Sequence, residues 1–159
     1  DLTYTLMLPV KKSDVVRARI AFAVMVEGIQ LLAMVPFLWL RQAAGLGPNP
    51  VGMDANVALP GFCLLLFGLF NLMFFPAYFA APHKVGKIFG FRSVWFFIAI
   101  VLLETLDHVL PFMRDCLDTP DPQYLPQKLI ALALGLAAFC LMTWLSCRWS
   151  ISRFEKLDV

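Results

Sequence analysis

The stretch LIALALGLAAFCLMTWLSC, residues 129–147, is an apolar run without a single charged side chain. A helix needs about 20 mostly apolar residues to cross the roughly 30 Å of hydrocarbon in a bilayer. This run therefore predicts a membrane-spanning helix. The whole chain has the same character, because 60% of its 159 residues are hydrophobic and only 15% are charged, whereas soluble domains carry about a quarter charged residues.

Three more apolar stretches, at residues 20–40, 58–81 and 94–110, have a similar length and composition. The alternating strands of about ten residues that are typical of a transmembrane barrel do not occur in the sequence. We therefore predict an all-α polytopic bundle of four spans. Residues 1–19 and 148–159 flank this transmembrane domain, which covers residues 20–147.

The basic residues predict the orientation of these spans. Before the first span, between the second and third, and after the fourth lie ten of them: Lys11, Lys12, Arg17, Arg19, Lys84, Lys87, Arg92, Arg148, Arg153 and Lys156. The opposite side has three, Arg41, Arg114 and Lys128. Because basic loops stay in the cytoplasm, both ends of the chain are expected there, in a multi-pass protein of the cytoplasmic membrane.

Charge and cysteine usage exclude other classes. The formal net charge of +2 and the lack of a basic stripe interleaved with aromatics argue against a nucleic-acid partner. The four cysteines form no CxxC pair, and three of them lie in apolar runs, so they predict neither a zinc site nor a disulfide framework.

Polar side chains inside the predicted spans are the candidates for chemistry, because charge in hydrocarbon is costly. They comprise Glu27 and Gln30 on one helix face, Asn71, and a second face with Glu104, Asp107 and His108. Three interpretations stay open: hydrogen bonds between helices or a wet vestibule, a translocation path, and a metal site. Glu104 and His108 can both ligate zinc, but a catalytic zinc site needs about three protein ligands. Asp107, or Glu27 from another helix, would have to complete the set, so no metal site is assigned.

Small residues mark a contact face on the fourth predicted helix. Ala131, Gly135 and Ala138 fall on one side of it. Side chains of this size let two helix backbones approach closely in a membrane. The pattern therefore predicts helix packing and indicates nothing about a substrate.

The segment before the first span, LMLPVKKSDVVRARIAF at residues 6–22, is basic and amphipathic. Ser13 can cap a helix that begins at Asp14. We expect a short helix on the membrane surface, which either anchors the chain to anionic lipid or docks to a cytoplasmic partner. The residues concerned are Pro9, Lys11, Lys12, Val15, Val16, Arg17 and Arg19, with Val15 or Val16 offered to a groove on the partner.

Three stretches stand out together: LPVKKSDVVRAR at residues 8–19, FFPAYFAAPHKVGKIFGF at 74–91 and SCRWSISRFEKLD at 146–158. They resemble the permeases of the type-2 ATP-binding-cassette (ABC) exporter superfamily. Their order and spacing relative to the four spans agree with that family as well. The resemblance therefore covers nearly the whole chain.

The resemblance implies a permease subunit of an ATP-driven exporter, which is not itself an enzyme. ATP and magnesium would bind a separate ATPase subunit, and the sequence has no GxxxxGK[ST] motif of its own. A second permease copy or a paralogue would complete the dimer. Residues 9–19 would transmit force to the spans.

The family usually has six spans, and this chain begins with Asp1 rather than methionine. Two spans are therefore expected to precede it, although a true four-span relative is the alternative. The resemblance does not define the substrate. Two other functions stay open: an intramembrane metal-dependent enzyme that uses Glu104, Asp107 and His108, and a membrane module that binds a partner without transport.

Overall fold

The computed structural model describes residues 10–45, 49, 52–119 and 121–157, so the predicted coupling residue Pro9 lies outside it. Four long helices make up most of this region: α1 (Lys12–Ala43), α2 (Ala58–Ala80), α3 (Val85–Val109) and α4 (Leu125–Glu155). Each is long and apolar enough to cross a membrane. The predicted all-α bundle of four spans is confirmed, and the described residues contain no strand.

Short turns connect the helices. The 3₁₀ turn Pro82–Lys84 joins α2 to α3, while the π-helical turn Met113–Leu117 and the 3₁₀ turn Pro122–Tyr124 lie between α3 and α4. The helix ends therefore gather at two ends of the bundle. We call the end with the start of α1 and the end of α4 the basic end, and the end with the start of α4 the acidic end.

Three helices extend beyond the predicted spans. α1 begins at Lys12 rather than near residue 20, α3 begins at Val85 rather than near residue 94, and α4 continues to Glu155. Hydropathy detects only the segment that fits in lipid, whereas backbone hydrogen bonding continues through basic residues of good helix propensity. The expected separate surface helix at residues 9–19 is thus corrected: its described part forms the first turns of α1.

Helices α2 and α4 form the closest pair, because two glycines meet where they cross. A Cβ atom on Gly61 would lie 2.7 Å from the Cα of Leu132 and 2.8 Å from the carbonyl oxygen of Ala131. Gly135, opposite, touches the backbone of Gly61 so closely that it has no room for a side chain. Two of the small residues singled out from the sequence, Ala131 and Gly135, therefore lie at this crossing, while Ala138 is half-buried one turn further on.

An apolar cluster closes the basic end. It contains Val15, Val16 and Ile20 from α1, Phe75 and Phe79 from α2, and Phe154 from α4. Val15 is 7% exposed and Val16 is fully buried. The expectation that these two valines are available to a partner is therefore corrected, because three helices converge on them.

Candidate functional site

A groove of about 880 Å³ runs between α1 and α3 across the face of α2. Its lining is mainly apolar and aromatic. Three of the polar residues singled out from the sequence, Glu27, Gln30 and Asn71, also line it. α1 packs mainly on α4 and more lightly on α2, whereas α3 packs on α2, so the two helices flank the groove and expose large apolar side chains elsewhere.

Aromatic rings form the α2–α3 wall of the groove. Phe70 and Phe74 stack on each other with ring centroids 5.4 Å apart. From α3, Phe96 meets Phe70 edge-on at 5.2 Å and Phe89 meets Phe74 edge-on at 6.1 Å. Offset stacked and edge-to-face pairs are favourable arrangements, so this wall is preformed and offers ring faces to an apolar occupant.

Asn71 is the centre of a polar network behind the groove. Its side chain is 1% exposed and donates to Glu27 Oε2 of α1 at 3.1 Å and to Thr143 Oγ1 of α4 at 3.4 Å. The hydroxyl of Ser146 donates to the backbone carbonyl of Asn71 at 2.6 Å. The network ties three helices together and leaves the Glu27 carboxylate at the groove surface.

Arg19 lies at the basic end of the same groove. Its Nη1 donates to the hydroxyl of Tyr78 at 3.0 Å, and the guanidinium carbon lies 6.0 Å from the centre of the tyrosine ring. Arg19 is therefore engaged inside the bundle. Its position gives the groove a cation at one end and the Glu27 carboxylate further along α1.

The remaining polar residues singled out from the sequence lie at the acidic end. Glu104 and Asp107 line a small cavity of about 90 Å³ beside α2. Asp107 is 1% exposed, whereas His108 is exposed. The ligand atoms that lie within 4.8 Å of one another belong to Asp107, His108 and Asp118, so the third member of this cluster is Asp118 rather than the expected Glu104.

Sequence reasoning missed Thr143, Ser146 and Asp118. The two hydroxyl residues are three positions apart in an otherwise apolar run, a spacing that places them on one helix face. That spacing was a usable signal, because serine and threonine commonly hydrogen-bond between membrane helices. Asp118 carries no such signal, because the irregular turn at Met113–Leu117 brings it back towards α3.

The basic residues at the start of α1 divide into two groups. Lys12 donates to the carbonyl oxygen of Leu157 at 2.7 Å and lies 6.0 Å from the ring centre of Phe154. Together with Arg19, it therefore makes contacts inside the protein. Lys11 and Arg17 are exposed, and Arg17 lies 3.7 Å from Asp14 on the same helix.

These features define a polytopic helical membrane protein in which a buried polar network, centred on Asn71, meets the groove between α1 and α3. A family model described as "ABC-2 family transporter protein" matches residues 3–155. The chain therefore belongs to the ABC-2 family of transporter proteins and is a membrane permease of ABC type. Comparison with curated proteins and with solved structures finds no match.

Proposed function

We propose that this chain is the transmembrane subunit of an ATP-driven exporter and that it works with a separate ATPase subunit. The observation that carries the proposal is the groove between α1 and α3, which has a preformed aromatic wall and a carboxylate at its surface. Family membership supports an ATPase partner. Two permease chains would form the membrane part, with ATP and magnesium bound only by the partner.

The ATPase docks at the basic end in this proposal, through charge rather than through Val15 and Val16. Lys11 and Arg17 are exposed at the same end of the bundle as His83, Lys84 and Lys87, which are also exposed. Clustered exposed cations steer association with an acidic surface, and salt weakens the effect. The alternative role of these residues is attraction to anionic lipid, at about 1 kcal/mol each.

Arg17 and Arg114 offer a matched pair of variants for testing the docking end. Their side chains are 66% and 58% exposed, each contacts a neighbouring aspartate, and they lie at opposite ends of the bundle. Arg17→Glu should lower stimulation of the co-reconstituted ATPase several-fold, more strongly at low salt. Arg114→Glu should leave it unchanged. Equal effects of the two variants at normal membrane insertion would contradict docking at the basic end.

The groove suggests the chemical class of the exported molecule. Phenylalanine faces favour an apolar body, and Glu27 is suited to a cationic or hydrogen-bond-donating group. We therefore propose an amphiphilic substrate that enters from the lipid phase, since large apolar side chains of α1 and α3 are exposed around the groove.

Transport of a fluorescent lipophilic cation tests this assignment. In proteoliposomes with the ATPase partner, Glu27→Gln should reduce ATP-dependent dye movement, whereas Glu155→Gln, an exposed change at the end of α4, should not. A matched neutral dye should depend much less on Glu27. Identical dye transport by wild type and Glu27→Gln would show that the Glu27 carboxylate does not contribute to substrate transport.

A further inference from the structure

The acidic end contains an unusual pair of carboxylates. Asp107 is 1% exposed, and among the described residues neither of its side-chain oxygens has a hydrogen-bond donor. Its carboxylate oxygen lies within 4.8 Å of an Asp118 oxygen and of an imidazole nitrogen of His108. A buried charge without a partner is strongly unfavourable, so this group needs a shared proton or a cation.

The cations already present nearby do not supply that partner. Lys128 is 3% exposed, but its ammonium donates to the backbone carbonyls of Thr119 and of Asp121, the latter at 2.9 Å. Arg41 lies 3.9 Å from Asp54. The local carboxylates of Asp54, Asp107 and Asp118, with Glu104 close by, therefore outnumber these two cations.

Neighbouring groups position the three side chains of the cluster. The backbone N–H of Asp54 donates to Oδ1 of Asp118, which fixes the loop carboxylate from the α2 side. Asp107 also lines the cavity of about 90 Å³, and such a space admits ordered water. His108 is exposed at the end of α3, and one of its ring nitrogens lies within 4.8 Å of an oxygen of each carboxylate.

We propose that Asp107, His108 and Asp118 bind a divalent cation of the zinc type. Two carboxylates and one imidazole form a donor set that zinc accepts, with water as the fourth ligand. A tetrahedral zinc ion holds its ligand atoms roughly 3.4 Å apart, so a spread of up to 4.8 Å requires closure by up to roughly 1.4 Å. The ion would clamp the end of α3 to the loop that precedes α4. This site is independent of the proposed transport path.

Zinc titration of the detergent-purified full chain tests the proposal. After chelator treatment, calorimetry with zinc chloride should show one site per chain, and zinc should raise the thermal unfolding temperature. Asp118→Asn and His108→Ala should each weaken zinc binding by at least about tenfold, as should Asp107→Asn. His108→Ala changes an exposed side chain, so it keeps the test valid even if the buried Asp107 variant fails to fold.

Three control variants separate this site from adventitious binding. Asp115→Asn alters an exposed carboxylate in the same loop, whose pKa the hydrogen bonds from Arg114 hold below its usual value. His83→Ala removes the other histidine, and Cys116→Ser removes the nearby thiol. All three should bind zinc like wild type.

Several results would overturn the assignment. One is the absence of zinc binding by wild type, and another is zinc binding by His108→Ala and Asp118→Asn that is as tight as that of wild type. Binding of calcium or magnesium as tightly as zinc would refute the choice of metal class. Stabilisation by Asp107→Asn without any zinc effect would show that the two carboxylates share a proton instead.

Discussion

Replacement of Gly135 by alanine is expected to destabilise the bundle, although alanine normally favours a helix. A Cβ atom at this position would lie 2.6 Å from the carbonyl carbon and 2.8 Å from the Cα of Gly61. Carbon atoms prefer separations of about 3.5–4.0 Å, so the two helices must move apart by roughly 1 Å at the crossing. The obstacle is backbone on both sides, so rotation of a side chain cannot relieve it.

The magnitude follows from two opposing effects. Overpacking of this kind costs about 1–3 kcal/mol, while the gain in helix propensity from glycine to alanine is at most about 1 kcal/mol. We therefore expect a net loss of up to about 2 kcal/mol in the free energy of unfolding. The 2.6 Å bond from Ser146 to the carbonyl of Asn71 crosses the same pair of helices and should lengthen as they separate.

Reversible unfolding in mixed detergent micelles measures this loss against matched glycines. Gly61→Ala should resemble Gly135→Ala. Gly68→Ala should cost less, because only one backbone atom, the Cα of Phe139 at 2.9 Å, lies that close to its Cβ, and the next atoms, Cβ and Sδ of Met142, lie at 3.4 Å. Gly28→Ala is the control, since nothing lies within 4 Å of a Cβ there. If Gly135→Ala proves as stable as Gly28→Ala, the α2–α4 contact is not as described.

Two further predictions concern the basic end and the orientation. Phe154→Ala should lower the free energy of unfolding by about 3 kcal/mol, because the ring is fully buried and meets Phe79 edge-on at 5.3 Å. The same change should expose the C-terminal tail to trypsin. The control is Trp149→Ala, which removes a half-exposed ring and should have neither effect. In a cysteine-free background, an impermeant thiol reagent on intact cells should label a cysteine at position 119 but not one at position 87; the reverse pattern would invert the topology.

The number and type of the helices could be predicted from the sequence. In a chain with few charged residues, an apolar run of about 20 residues is stable as a helix that crosses the membrane. It did not define where helices end. The residues from Lys12 to Arg19 are polar enough to lie outside lipid and still continue α1, since water and lipid permit the same backbone hydrogen bonds. Hydropathy indicates whether side chains lie in lipid or in water, and it does not indicate where a helix begins or ends.

The candidate site was only partly predictable for a related reason. Glu27 and Asn71 stood out as polar residues in apolar runs, but their pairing across 44 positions depends on how α1 packs on α2. The cluster at Asp107 needed Asp118, which an irregular turn places there. The helical period of a sequence identifies residues that share one face of a helix. It does not predict contacts between a helix and a residue that a loop brings to it.

The continuity of α1 changes how the proposed coupling would operate. A separate surface helix would need a hinge between the docking residues and the groove, whereas Arg17 and Glu27 lie on one uninterrupted helix. Ten residues of helix span about 15 Å. A movement of α1 at the basic end would therefore displace Glu27 in the groove, because this part of the helix moves as a rigid body. α2 and α4 meet at backbone level, while α1 joins them through the Asn71 network and the apolar cluster at the basic end. Opening of the groove is therefore expected to move α1 against a fixed α2–α4 pair, with the Glu27–Asn71 bond as the contact that changes.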